Sequence, residues 1–192
     1  MCVTIEETDC LDGVVSAPPS KAYTHRMLIA AFLSSGDSKI FNPLVSDDTE
    51  ATLRAVEAFG AETDLQPDYW LIHGNETPET PKCPINCRES GSTLRFMIPV
   101  AGLAPRSSTF LFNASLERRP IVPLLASLKE LSVESKVKRD GSSVAVCGGS
   151  IHGGNTSIRG DVSSQFISGL LFACPKAKTD TNIHVTTKLE SR

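Results

Sequence analysis

The sequence predicts a mixed α/β protein assembled from repeated β-α-β-α-β-β units of about 72 residues. Three helical patterns carry this prediction, because each begins at a serine and then becomes apolar: SKAYTHRMLIAAFL, STLRFMIPVAGL and SQFISGLLFA. Their first residues, Ser20, Ser92 and Ser164, are equally spaced along the chain, one repeat unit apart. A run typical of a strand follows each helix, at 39–44, 109–114 and 182–187. This common register favours a structural repeat over three unrelated helix starts.

The remaining elements of each unit follow in the same order. The apolar spacing predicts a second helix in TEATLRAVEAFGAE (49–62) and again in IVPLLASLKELSVES (121–135). Alternating strands then close each copy, at DYWLIHG (68–74) and SSVAVCGG (142–149). We therefore expect about two and a half units within residues 14–192, with approximate bounds 14–85, 86–157 and 158–192.

Composition excludes several classes of function. The net charge of −3 over 192 residues argues against a protein that binds nucleic acid through a basic surface. The N-terminal stretch MCVTIEETDC lacks the apolar centre of a secretory signal, and the longest apolar runs are too short to span a membrane. A cytoplasmic location is expected by default.

Metal ligation is not predicted either. The one close cysteine pair, Cys83 and Cys87 in CPINC, has no second pair or nearby histidine cluster to complete a zinc site. The four histidines show no ligand spacing. Reduced, structural thiols are therefore expected instead of a metal centre or a disulfide framework.

The starts of the helices form the candidate functional site. A helix N-terminus carries unpaired N–H groups and roughly half a positive charge, so it attracts anions. Hydroxyl, amide, basic and glycine residues stand at the three repeated helix starts: Lys21 and Arg26; Ser90, Gly91, Ser92 and Arg95; and Ser163, Ser164 and Gln165. Arg119 stands at the predicted start of the second helix of the second unit. If these starts converge, they make one pocket for a polyanion, because guanidinium groups and hydroxyls suit phosphate oxygens.

Each of these residues also has a purely structural interpretation. Ser20, Ser92 and Ser164 are expected as helix caps, and the basic side chains can be solvated surface charges. Gln165 can be an ordinary first-turn residue. Arg95 is harder to place at the surface, since it stands in an apolar run and needs a partner. Their recurrence at equivalent positions favours a binding site.

Five segments, in order along the chain, resemble the 5-enolpyruvylshikimate-3-phosphate (EPSP) synthase family: APPSKAYTHRMLIAAF, NPLVSDDTEATLRAVEAFGAE, SGSTLRF, LERRPIVPLLASLKEL and GDVSSQFISGLLFACP. VSSQF and ERRP are the most specific of these motifs. The resemblance implies an inside-out α/β barrel domain of three units, here incomplete over 14–192. It also implies that residues 1–13 form a strand of a second domain.

The resemblance further implies transfer of the enolpyruvyl group of phosphoenolpyruvate to the 5-hydroxyl of shikimate 3-phosphate, a step toward chorismate and the aromatic amino acids. No metal or organic cofactor is implied, and the full-length enzyme is expected to be a monomer. The residues implied for shikimate 3-phosphate are Lys21, Ala22, Arg26, Ser163, Ser164, Gln165 and Ser191. Those implied for phosphoenolpyruvate are Lys21, Gly91, Arg95, Arg119 and Gln165.

Two positions depart from the family pattern. Ala22 stands where a serine commonly contacts shikimate 3-phosphate, so that hydrogen bond is lost or replaced. Glu89 stands where an asparagine is common, and Arg88 or Arg118 is expected to offset its charge. The family's acid–base residues belong to a second half that this sequence does not contain. We therefore expect an N-terminal part that is inactive alone and of low stability, because its third unit lacks a second helix.

Two other functions stay open at this point. One is the related transfer of an enolpyruvyl group to UDP-N-acetylglucosamine, although ERRP and VSSQF suit a phosphorylated shikimate better. The other is a non-catalytic domain that binds anions.

Overall fold

The computed structural model describes residues 2–7, 9–138 and 141–189 and confirms the mixed α/β architecture. Its helices are α1 (Lys21–Phe32), α2 (Asp47–Ala58), α3 (Gly91–Ala101), α4 (Ala114–Glu117), α5 (Val122–Glu130) and α6 (Ser164–Ala173). Its strands are β1 (Asp37–Phe41), β2 (Glu62–Leu65), β3 (Tyr69–His73), β4 (Ile85–Asn86), β5 (Ser108–Leu111), β6 (Ser135–Val137), β7 (Ser143–Val146), β8 (Gly154–Ile158) and β9 (Thr181–Val185). None of the described helices is long and apolar enough to cross a membrane.

Three small sheets repeat one topology. In the second sheet the strand order is β4-β5-β7-β6, with β4 parallel to β5 and the other neighbours antiparallel. The first sheet, β1-β3-β2, reproduces the antiparallel part, and the third, β8-β9, reproduces the parallel pair. Within the described residues, β9 pairs only with β8, whereas its counterpart β5 has a neighbour on both sides.

The helix starts repeat less regularly than the sequence predicts. The capping serines are Ser20, Ser90 and Ser163, so the first interval is slightly shorter than the predicted repeat and the second slightly longer. The prediction that Ser92 and Ser164 are caps was therefore wrong for both residues. The hydroxyls of Ser90 and Ser163 already accept hydrogen bonds from first-turn N–H groups, so the two predicted caps lie inside their helices.

The ends of the second helices are set by local backbone chemistry. Helix α2 begins at Asp47, just before the predicted start, because Ser46 and Thr49 form a reciprocal capping box. Helix α5 ends at Glu130, since Ser132 has a φ of 70° and the chain then enters β6. Residues 2–7 and 9–13 form no strand within this chain, and their place in a second domain stays a prediction.

Helix α3 lies at the centre of the fold. All of its residues except Ser92 are buried, and it packs between α2 and α6. At Gly169 the approach of α6 is so close that a Cβ atom would lie 2.5 Å from the carbonyl oxygen of Arg95. Aromatic side chains fill the core on either side, among them Phe32, Phe59 and Phe166. This burial fixes the position of the first turn of α3.

Candidate anion-binding site

Direct contacts join the starts of four helices. Lys21 at the start of α1 pairs with Asp48 at the start of α2, with 2.9 Å between Nζ and Oδ2. The hydroxyl of Thr93 in α3 donates to the carbonyl oxygen of Asp48 over 3.3 Å. Gln165 at the start of α6 donates from Nε2 to the hydroxyl of Ser92 over 2.8 Å. The positive ends of four helix dipoles are thus neighbours.

Gly91, the first residue of α3, faces two guanidinium groups. A Cβ atom built on Gly91 would lie 3.2 Å from Nη1 of Arg119 and 3.6 Å from Nη1 of Arg95. Any side chain here would occupy the space between the two positive charges. Two guanidinium nitrogens thus lie near this point, and guanidinium groups suit an anion with several oxygens.

Arg95 is held in place by neutral groups from α6. It is only 9% exposed, and its Nη1 donates to Oε1 of Gln165 over 2.8 Å. Its guanidinium lies over the ring of Phe166, with 5.4 Å between Cζ and the ring centroid. The expectation that Arg95 needs a partner is confirmed, and the Gln165 amide is one such partner.

Arg26 connects α1 with α6 and lies over α3. Its Nη2 donates to the hydroxyl of Ser168 over 3.4 Å, and its Nη1 donates to the carbonyl oxygen of Ala22 over 2.9 Å. The guanidinium lies 5.1 Å from the ring centroid of Phe96. Ala22 is exposed and lines an open depression together with Tyr23 and Arg26.

The N-terminus of α6, with its backbone N–H groups, lies close to Arg95 and Arg26. The buried hydroxyl of Ser163 accepts a hydrogen bond from the N–H of Gln165 over 3.3 Å, so Ser163 is a helix cap. Ser164 is the first helical residue and is partly exposed. The predicted residue Ser191 lies outside the described residues.

The basic residues of the site differ in exposure. The Lys21 side chain is 53% exposed, so its ion pair with Asp48 is a surface pair of small net stability. Arg119 is exposed in the segment between α4 and α5 and lines a shallow cleft with Arg118 and Pro120. Both Lys21 and Arg119 can therefore reorient toward a ligand at little cost.

The expected neutralisation of Glu89 by Arg88 was wrong. Arg88 instead donates from Nη1 to Oδ1 of Asp47, at the start of α2, over 3.3 Å. Among the ion pairs of the described residues, none includes Glu89, which is exposed to solvent.

Sequence reasoning missed a buried histidine beneath the site. His25 is 1% exposed, and its Nδ1 lies 2.7 Å from Oγ1 of Thr52. Burial lowers the pKa of His25 to about 4; Asp48 opposes this shift, while Lys21 and Arg26 reinforce it. The ring is therefore neutral at pH 7. The signal was visible only as a histidine on the apolar face of α1.

No disulfide joins the cysteines of the described residues. Cys83 is exposed, whereas burial raises the pKa of the Cys87 thiol to about 12. The same part of the chain contains no group of three or more His, Cys, Asp or Glu side chains arranged to hold a metal ion.

Comparison with known proteins gives matches over nearly the whole of this chain. The family model for EPSP synthase (3-phosphoshikimate 1-carboxyvinyltransferase) matches residues 5–192. A 3-phosphoshikimate 1-carboxyvinyltransferase of Methanothermobacter thermautotrophicus is 46% identical over 177 residues, which cover 91% of this chain and 42% of the relative. That of Methanocaldococcus jannaschii is 40% identical over 193 residues, covering 98% of this chain and 45% of the relative.

A solved structure shows the same fold. The EPSP synthase of Acinetobacter baumannii superimposes with a TM-score of 0.81 at 22% sequence identity, over 91% of this chain and 40% of that protein. The chain thus spans less than half the length of each of these relatives.

Proposed function

The chain belongs to the EPSP synthase family, and from this premise we propose that its joined helix starts bind phosphoenolpyruvate and shikimate 3-phosphate for enolpyruvyl transfer. The observation that carries the proposal is the placement of Gly91 between the guanidinium groups of Arg95 and Arg119. Such a site fits the phosphate or carboxylate of a small anion, in a chain whose overall charge is −3.

The proposed reaction is an addition followed by an elimination. The 5-hydroxyl oxygen of shikimate 3-phosphate bonds to C2 of phosphoenolpyruvate, while C3 gains a proton and the hydroxyl loses one. The tetrahedral intermediate then loses a proton from C3 and inorganic phosphate from C2, which restores the double bond. The contribution proposed for this chain is to bind and orient the anionic groups.

The phosphoenolpyruvate site is proposed at the start of α3. Arg95 is already oriented by Gln165 and by the ring of Phe166, so little side-chain entropy is lost when it binds an anion. Arg119 is exposed and completes the site from the α4–α5 segment. The absent side chain of Gly91 leaves room for ligand oxygens near the α3 N-terminus.

The shikimate 3-phosphate site is proposed along the starts of α6 and α1. Ser163, Ser164 and the α6 backbone are proposed to bind the phosphate, and the contact of Arg26 with Ser168 supports a shared site between α1 and α6. Ala22 offers no hydroxyl, so its side chain gives shikimate 3-phosphate no hydrogen bond from α1. Gln165 contacts Arg95 and Ser92 together, which supports its proposed role toward both substrates.

The proton-transferring groups are proposed to lie in the remainder of the relatives' length, since this chain spans under half of it. On this proposal the chain binds both substrates and releases no phosphate by itself. A cytoplasmic location and a monomeric full-length enzyme remain predictions.

Calorimetry of Arg119→Ala tests the proposed function. Loss of one charge-assisted hydrogen-bonding group should weaken phosphoenolpyruvate binding about tenfold or more. Arg106→Ala is the matched control, because Arg106 is also exposed but follows the opposite end of α3. The proposal is contradicted if the unaltered chain binds neither substrate, or if both variants bind phosphoenolpyruvate equally well.

A further inference from the structure

A row of four buried polar side chains leads from α1 to the start of α3. The distances along it are 2.7 Å from Nδ1 of His25 to Oγ1 of Thr52, 2.6 Å from there to Oγ1 of Thr93, and 2.6 Å on to Oγ of Ser90. None of the four residues is more than 1% exposed. The row therefore exchanges no hydrogen bond with bulk water, and each member depends on its neighbour.

The row ends at the residue that caps α3. Besides its contact with Thr93 Oγ1, the Ser90 hydroxyl accepts a hydrogen bond from the N–H of Thr93 over 3.3 Å. Gly91, which lies between the two guanidinium groups, follows Ser90 directly. A change in the orientation of the Ser90 hydroxyl thus alters the first turn of α3 and the position of Gly91.

The hydrogen bonds of the row have one favoured arrangement. Nε2 of His25 is buried with no hydrogen-bond partner among the described residues. A buried nitrogen lone pair without a partner costs less than a buried N–H without one, so the ring hydrogen belongs on Nδ1 and is donated to Thr52. The Thr52 hydroxyl then donates to Thr93. The Thr93 hydroxyl thus accepts from Thr52 and donates to the carbonyl oxygen of Asp48 over 3.3 Å, while the Ser90 hydroxyl donates to Oγ1 of Thr93 over 2.6 Å, so every hydroxyl of the row has an acceptor.

We propose that His25 is a positioning residue for the phosphate site at the start of α3, a role that rests on the function proposed above. It touches no substrate. As the neutral Nδ1–H form it fixes the hydroxyls of Thr52 and Thr93, and through them the cap at Ser90. This cap holds Gly91 in register with Arg95 and Arg119. An apolar side chain at position 25 would fill the same core volume without directing the cap.

Calorimetric titration of the chain with phosphoenolpyruvate tests this role in His25→Leu, His25→Asn and Thr52→Val. His25→Leu and Thr52→Val should each weaken binding about tenfold, and the double variant should lose no more than either single change. His25→Asn places an amide nitrogen where Nδ1 lies, so its affinity should stay within about twofold of the original.

Ser127→Ala is the matched control for loss of a buried hydroxyl. Ser127 pairs with Thr156 between α5 and β8, so its removal should lower the melting temperature without changing the affinity. If His25→Leu lowers the melting temperature but binds phosphoenolpyruvate as well as the original chain does, the positioning role is overturned. If the original chain binds no phosphoenolpyruvate, the proposed function itself has failed.

The tautomer of His25 gives a readout that does not depend on any ligand. Nitrogen-15 NMR at neutral pH should show the hydrogen on Nδ1. A ring that carries its hydrogen on Nε2 would accept at Nδ1 from Thr52, which could then not donate to Thr93, and this result would overturn the positioning role whatever the result of the titrations.

Discussion

Gly91 matters most to the proposed site because it has no side chain and so leaves space beside Arg95 and Arg119. We predict that Gly91→Ala lowers phosphoenolpyruvate affinity about tenfold, because the added methyl group occupies the space that faces Arg95 and Arg119. The fold should persist, since the nearest atom, 3.2 Å away, is the end of the flexible Arg119 side chain. Calorimetry with each substrate separately checks this, and shikimate 3-phosphate should bind unchanged.

Gly36→Ala is the control for this substitution, because a Cβ atom at Gly36 has no neighbour within 4 Å among the described residues. Equal loss of affinity for both substrates in Gly91→Ala would mean that the change disturbs the whole site, against the prediction.

The buried ring of His25 makes stability depend on pH. Between pH 6.5 and pH 4 the unfolded chain binds a proton at His25 that the folded chain does not, because burial lowers the folded pKa to about 4. Above pH 6.5 the contribution of the neutral His25 ring to the free energy of unfolding is therefore fully present. As the pH decreases through this window, that contribution falls by up to about 3 kcal/mol.

Denaturant unfolding of the original chain and His25→Asn checks this at about pH 7.5 and about pH 4.5. Carboxylates such as Asp48 titrate in both proteins, so only the difference between the two reports on His25. The difference should shift in favour of His25→Asn at the lower pH. Parallel pH profiles would be incompatible with a buried neutral ring.

At the residue scale, the sequence identified the site's basic groups but not their partners. Arg95 was recognised as a charge that needs a partner, yet Gln165 lies far along the chain, and only the packing of α3 on α6 brings them together. Ser92 and Ser164 were mistaken for caps because several serines precede each helix and any of them satisfies the pattern. His25 was missed because Thr52 and Thr93, which complete its row, lie on other helices.

At the scale of elements, the contact between α3 and α6 aligns the two proposed substrate sites. We predict that Gly169→Ala lowers the free energy of unfolding by about 1–3 kcal/mol, since its Cβ would lie 2.5 Å from the backbone oxygen of Arg95, which cannot yield as a side chain can. The helices must then separate, and Gln165 should hold Arg95 less well. Chemical denaturation measures the first effect, and phosphoenolpyruvate titration measures the second.

Gly36→Ala again serves as the control, because it adds a methyl group without a close contact. A Gly169→Ala chain as stable as the original would show that α6 can shift without loss.

The existence of most elements was predictable, whereas their ends were not. Apolar periodicity located α2 and α5, because one face of each helix is buried. The start of α2 depends on a reciprocal pair of side-chain hydrogen bonds at Ser46 and Thr49, and the end of α5 on the left-handed backbone at Ser132. Such features involve a few atoms, so an average over a helical window does not detect them.

At the scale of the whole molecule, the repeat predicted from the sequence reappears in part, because the first sheet matches the antiparallel part of the second and the third matches its parallel pair. The uniform interval predicted between helix starts lies between the two observed intervals, because loops of different length join equivalent helices. The overall charge of −3 gave no sign of the basic site, since acidic residues such as Asp47 and Asp48 lie beside it. Low stability stays a prediction; Leu171, 59% exposed on α6, is the kind of apolar surface on which it depends.

The edge of β9 that pairs with no strand of the described residues also bears on how the chain associates. An edge strand presents a row of N–H and C=O groups, and such a row is a template onto which a further strand adds. In the second sheet, β7 occupies the corresponding place beside β5. In a concentrated solution of separate chains, every copy therefore offers this row to its neighbours as an acceptor for a further strand.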